Sequence, residues 1–120
     1  MFGLGDLEDA VMEVLWHTDQ PARVRDVLEQ LDPDRPLAYT TVMTVLDNLH
    51  RKGWVERERD GRAYRYRPAL SREDATVRAL RDVLNASGDP EAALLQFARS
   101  ASDQEADVLR AALAEKTRRG

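Results

Sequence analysis

The stretch AYTTVMTVLDNLHRKG, residues 38–53, reads as one amphipathic helix closed by glycine. Val42, Val45, Leu46 and Leu49 recur at helical offsets and make a single apolar stripe, with Tyr39 on its edge. The stripe predicts a buried face. On the opposite side Thr40, Thr44, Asp47 and Arg51 fall one above another, flanked by Thr41, Asn48 and Met43. A helix face built only for solubility usually carries Glu and Lys pairs. Three threonines in five positions are poor helix formers, and their short hydroxyls and methyls suit close approach to base edges and phosphates. This face is therefore either solvated surface or a surface that reads something polar.

Working outward, the residues after Gly53 change from a helical to an alternating period. Residues 54–59, WVERER, and 62–67, RAYRYR, flank Asp60-Gly61 and predict a two-stranded hairpin with Asp60-Gly61 as its turn. That placement pairs Arg59 with Arg62, Arg57 with Tyr64 and Val55 with Tyr66 on one face. The other face then pairs Glu58 with Ala63, Glu56 with Arg65 and Trp54 with Arg67. The acids find partners inside the hairpin and the bases near its tip do not. Arg59 and Arg62 are thus placed to touch a phosphate backbone, unless the charges only keep an exposed edge from aggregating.

Before the organising stretch lie two further helices. Asp6 is a suitable N-cap for the first, whose stripe is Leu7, Val11, Val14 and Leu15, with Trp16 at its end. Gln20-Pro21 ends it, and a second helix runs from about Ala22 to Leu31 with Val24, Val27, Leu28 and Leu31 apolar. Three helices followed by a hairpin is the winged helix-turn-helix layout, in which the third helix enters the major groove and the wing rides the adjacent backbone. The third helix has no side-chain oxygen before Thr40 to cap it, and a phosphate would satisfy those amides.

Beyond Pro68 the chain predicts three short amphipathic helices. Ser71 and Asp74 open the first, Asp89-Pro90 the second, and Ser102 with Glu105 the third. Three such helices in about fifty residues cannot enclose a core alone and should pair with a second copy. The expected class is mainly α with a small β-hairpin: a winged helix-turn-helix domain over residues 1–70 and a helical dimerisation domain over 71–120.

The basic charge is concentrated in one stretch, which starts at the end of the organising helix. The 120-residue chain has a formal net charge of −4, with 42% apolar and 33% charged residues. Residues 1–50 hold three arginines against ten acids, whereas residues 51–67 hold seven bases against three acids. An acidic protein with one basic patch can bind DNA, with an affinity that falls steeply with salt. There is no cysteine, so no disulfide, thiolate metal site or cysteine nucleophile is expected. His17 and His50 sit on different helices at no ligand spacing, and no phosphate loop or nucleophile–base pair is evident. No catalytic residue, metal, cofactor or small-molecule ligand is expected. The N-terminus lacks the features of a secretory signal, which predicts a cytoplasmic protein. A winged-helix adaptor that binds a partner protein through the third helix is the alternative, and it would expose a large apolar patch there.

The chain also resembles the BlaI/MecI/CopY family of bacterial repressors over nearly its full length. The resemblance is carried by LGDLEDAVMEVLW, AYTTVMTVLDNLHRKG, the wing RDGRAYRYRP and the tail LLQFARSASDQEADVLRAAL. It implies a cytoplasmic homodimer that represses by binding palindromic double-stranded DNA operators, which in the β-lactamase branch contain ACA/TGT cores. Thr40, Thr41, Met43 and Thr44 fall where the family's recognition residues lie, and Arg51, Lys52 and the wing arginines, Arg59 and Arg62 among them, match its backbone contacts. In the β-lactam branch a membrane metalloprotease sensor triggers cleavage of an Asn-Phe bond in the dimerisation domain. The matching pair in this chain is Gln96-Phe97, which departs from that pattern. The copper branch carries paired Cys-x-Cys motifs, which this chain lacks, so copper sensing is not expected.

Overall fold

The computed structural model describes residues 2–34 and 36–119. Their order is α1 (Asp6–Trp16), α2 (Val24–Gln30), α3 (Tyr39–Arg51), β1 (Val55–Asp60), β2 (Ala63–Pro68), α4 (Arg72–Ala86), α5 (Pro90–Ser100) and α6 (Asp103–Arg119). The chain forms two compact units, Met1–Ala79 and Leu80–Gly120.

The first unit is organised on α3, whose Val42, Val45, Leu46 and Leu49 are all buried. They pack with Val11, Met12 and Leu15 of α1, Val24 and Val27 of α2, and Trp54, Val55 and Tyr66 of the wing. A Schellman motif ends α3. Gly53 takes φ +79°, its N–H donates to the His50 carbonyl at 3.1 Å, and the Trp54 N–H donates to the Leu49 carbonyl at 2.9 Å. The glycine is there because L side chains rarely adopt that φ. The first turns of α4 also belong to this unit: Ala75 is fully buried, the Trp16 indole N–H donates to the Leu70 carbonyl at 2.9 Å, and Arg72 pairs with Glu13.

Three sequence expectations are corrected. The N-cap of α1 is Gly5, not Asp6, because the Glu8 carboxylate reaches back to accept from the Gly5 N–H at 3.1 Å. Helix α2 starts at Val24, not near Ala22. The Asp26 carboxylate accepts from the Arg23 N–H at 3.0 Å, and Ala22 instead exchanges two backbone hydrogen bonds with Tyr66, at 2.9 and 2.8 Å. That bridge makes residue 22 a third strand position beside the wing. In the hairpin the turn is Gly61-Arg62, so Arg57 pairs with Tyr66, Arg59 with Tyr64, Glu56 with Arg67 and Asp60 with Ala63. A turn starting at Asp60 needs positive φ on aspartate, whereas glycine at the first turn position, here with φ +65°, supplies it freely. A slip of two residues keeps every side chain on its expected face and changes only its partner.

In the second unit the caps match expectation. Asp89 accepts from the Ala92 N–H at 3.1 Å with Pro90 at the first helical position, and Ser102 and Glu105 form a reciprocal capping box at 3.1 and 2.8 Å. No described residue from Leu80 onward is buried, and Val83, Leu94, Leu95, Phe97, Val108 and Leu113 are all exposed.

Because Leu46 is fully buried at the centre of the first unit, Leu46→Ala should lower that unit's stability by about 2–5 kcal/mol, read by urea unfolding of the full chain. A loss below about 1 kcal/mol would mean the α3 stripe is not the unit's core.

Candidate nucleic-acid interface

With its apolar stripe buried, α3 turns Thr40, Thr41, Met43 and Thr44 outward, and all four are exposed. The Thr44 hydroxyl donates to the Thr40 carbonyl at 2.9 Å. Its proton is therefore committed, while its oxygen can still accept and its methyl points away from the helix. Such a threonine presents an acceptor to base amino groups and a methyl to thymine methyls. Exposed large apolar side chains on α3 are limited to Tyr39, 47% exposed, and Met43, 39% exposed. Tyr39 thus stands further out than the edge of the stripe. The two are neighbours one turn apart, and a pair of side chains does not make the broad apolar patch that a protein-binding helix would show. The cap of α3 is Ala38, with no side-chain hydrogen bond to the first turn.

Beside this face an open groove runs between the N-terminus of α2, α3 and the wing. Arg23 and Arg25, Arg51, and Arg57 and Arg62 line it from those three elements, against Asp26 and Asp47. Arg23 is paired with Asp60 and Arg57 with Asp47, and the remaining guanidinium groups of the concave channel attract a polyanion although the whole chain is acidic. Arg23, Arg25 and Arg57 were not foreseen as site residues. The first two lie in an otherwise acidic region of sequence, and only the fold brings them across to the wing.

The foreseen cations divide into free and engaged groups. Arg62 stands exposed at the hairpin turn, and among the described residues Arg59 makes only a 3.4 Å hydrogen bond to the Gly61 carbonyl. Arg51 donates to the Asn48 amide oxygen, a neutral partner that leaves its charge unpaired. Lys52 is engaged: its ammonium sits 2.9 Å from both Glu8 carboxylate oxygens and ties the end of α3 to α1. Burial pushes the Glu8 carboxyl up, but the Lys52 hydrogen bond and the Gly5 amide together hold it below its ordinary value. Gln96 and Phe97 belong to the second unit, in the middle of α5, and both are exposed.

Ion pairs fix the wing's attitude. Asp60 accepts from Arg23 at 2.5 Å and from Arg65 at 2.6 Å, tying the hairpin to the start of α2. Arg57 donates to Asp47 of α3 at 2.9 Å and lies 4.3 Å above the Tyr64 ring. Across the strands Arg67 pairs with Glu56 at 2.9 Å. Glu56 and Asp60 are thus paired within reach of the hairpin, and the tip arginines Arg59 and Arg62 are not the groups that pair them.

Residues 4–115 match the penicillinase repressor family. The chain belongs to that family. It is 48% identical to the transcriptional regulator BlaI of Mycobacterium tuberculosis over 115 residues, which is 93% of this chain and 83% of that protein. It is 22% identical to the methicillin resistance regulatory protein MecI of Mammaliicoccus sciuri over 84 residues, 70% of this chain and 68% of that protein. The solved DNA-binding domain of the repressor BlaI superposes with a TM-score of 0.52 at 26% identity, covering 60% of this chain and 87% of that domain. Penicillinase repressor family members are DNA-binding transcriptional repressors of winged-helix architecture, not enzymes. The adaptor alternative is thereby set aside.

The Arg23 guanidinium, and then Arg65, hold the Asp60 carboxyl down at about 2 against an ordinary value of 3.8. The contribution of this carboxylate to wing stability is fully present above pH 3.8 and is lost as pH falls through about 2. An NMR titration of the Asp60 carboxyl carbon should show its midpoint near 2, moving towards 3.8 in Arg23→Ala. An unchanged midpoint in that variant would break the link between wing and α2.

Proposed function

We propose that this protein is a repressor that binds a palindromic operator as a homodimer, with α3 of each copy in the major groove and the wing on the flanking backbone. The observation that carries the reading is an exposed threonine face on α3, the same helix whose Met43, Asp47 and Arg51 line an arginine-rich groove. In this arrangement Thr40, Thr41, Met43 and Thr44 meet base edges. Arg51, Arg59 and Arg62 meet phosphates, and Lys52 acts near the backbone while anchored to Glu8. A phosphate at the uncapped start of α3 would accept from its free amides.

The dimer reading rests on the second unit. Apolar side chains as exposed as Val83, 69%, and Val108, 65%, on three successive helices have to be covered by something, and a second copy provides matching surface by symmetry. Two copies would present two reading helices to the two halves of a palindrome, acting in the cytoplasm where the DNA is.

Release by proteolysis is the family's switch in its β-lactam branch, and Gln96-Phe97 is the corresponding bond here. A cut there separates α6 from the rest of the chain, which removes dimer surface and lowers operator affinity by mass action. A membrane metalloprotease that senses a β-lactam is the matching partner. Since the pair lies within helix α5, the helix has to open before a protease can hold it in extended form.

Binding of Thr44→Ala and Arg62→Ala to the operator, measured across a salt series, tests the division of roles. Thr44→Ala should change base preference at one position per half-site by about 1–3 kcal/mol. Arg62→Ala should weaken binding evenly across sequences and reduce the salt slope by about one per wing. A wild-type slope in Arg62→Ala would remove the wing from the interface.

A further inference from the structure

We propose that Asp47 and Arg57 form a latch that sets the angle of the wing against α3, making Asp47 a positioning residue for DNA binding. The inference rests on the operator-binding reading, because the latch matters through what the wing then touches.

Asp47 is hard to account for as a plain surface acid. It stands on the face of α3 that carries Thr40 and Thr44 before it and Arg51 one turn after it, and it lines the arginine groove. A carboxylate there repels phosphates and should weaken binding to any nucleic acid. Its Oδ1 accepts from Arg57 Nη1 at 2.9 Å, and the same guanidinium stacks 4.3 Å above the Tyr64 ring on the opposite strand. One cation is thus gripped by α3 on one side and by β2 on the other. Arg57 also shares its strand position with Tyr66, which is buried and doubly bonded to Ala22.

Without the latch, the wing is held to the helical body by the buried Trp54, Val55 and Tyr66 at its base, the Tyr66–Ala22 bridge and the Asp60–Arg23 pair. None of these ties the wing to the exposed face of α3. Only Asp47 does so among the described ion pairs. A two-stranded ribbon is marginal alone, so the spacing between the tip arginines and the reading helix depends on such a cross-tie. The repulsive charge at residue 47 is the cost of fixing that spacing.

The signs of the competing readings differ, which makes the test sharp. If Asp47 were only a surface acid, Asp47→Asn would remove repulsion and tighten binding. If it read a cytosine amino group, Asp47→Asn would change base preference and leave the wing alone. The latch instead requires the wing to loosen. The experiment uses full-length protein, with amide hydrogen exchange of residues 58–63 measured without DNA and binding measured to a duplex selected with the wild-type protein. Asp47→Asn should exchange faster at the wing, bind about tenfold more weakly, and lose about one unit of salt slope per wing. Asp47→Glu should restore a good part of both, and Arg57→Gln should reproduce Asp47→Asn. Unchanged wing exchange in Asp47→Asn, or equal or tighter binding, overturns the latch. Should the wild-type protein select no duplex, the operator reading fails by itself, and the exchange data still decide whether the latch exists.

Discussion

Burial of one stripe of α3 is the constraint on which the rest of the first unit depends. Val42, Val45, Leu46 and Leu49 enter the core, and the helical repeat then forces Thr40, Thr41, Met43 and Thr44 outward together. Nothing on the exposed face has to contribute to stability, so its composition is free to serve recognition. The neighbouring elements pack around the same stripe, through residues of α1 and α2 and through Trp54, Val55 and Tyr66. The groove and the reading face are therefore consequences of a single packing decision.

Electrostatics then sorts the surface. The chain is acidic as a whole, yet four acids near the interface are paired: Asp60 with Arg23 and Arg65, Asp47 with Arg57, Glu56 with Arg67, and Glu8 with Lys52. Exposed pairs of this kind add little stability. Their effect here is geometric, because each fixes where a strand or helix end sits and leaves Arg51, Arg59 and Arg62 with uncompensated charge. A polyanion approaching this side meets those arginines.

Much of this was legible in the sequence because its signals are local. The apolar period of α3, the glycine at its end and the alternation of the wing each specify a structure without help from distant residues, and all three stand in the fold. The errors fall where a distant partner decides. Ala22 joins β2 because Tyr66, far along the chain, offers a backbone edge. The turn moves to Gly61-Arg62 because Asp60 does more inside the strand, held by Arg23 and Arg65, than at a turn position needing positive φ. Arg23 and Arg25 became groove residues only when α2 was set beside the wing, and the Lys52 charge was engaged by Glu8, which no local pattern announces. The Gln96-Phe97 pair was read from resemblance alone, and its place within α5 supplies a physical condition for cleavage that spacing could not.

The account joins a reading surface in the first unit to uncovered apolar helices in the second, and its central claim is twofold-symmetric recognition of an operator. Footprinting of the full-length protein on the DNA upstream of its own gene, repeated across a salt series, tests that claim most directly. The account predicts a protected site with twofold symmetry whose occupancy falls steeply as salt rises. A folded, dimeric protein that protects no site at low salt would contradict it.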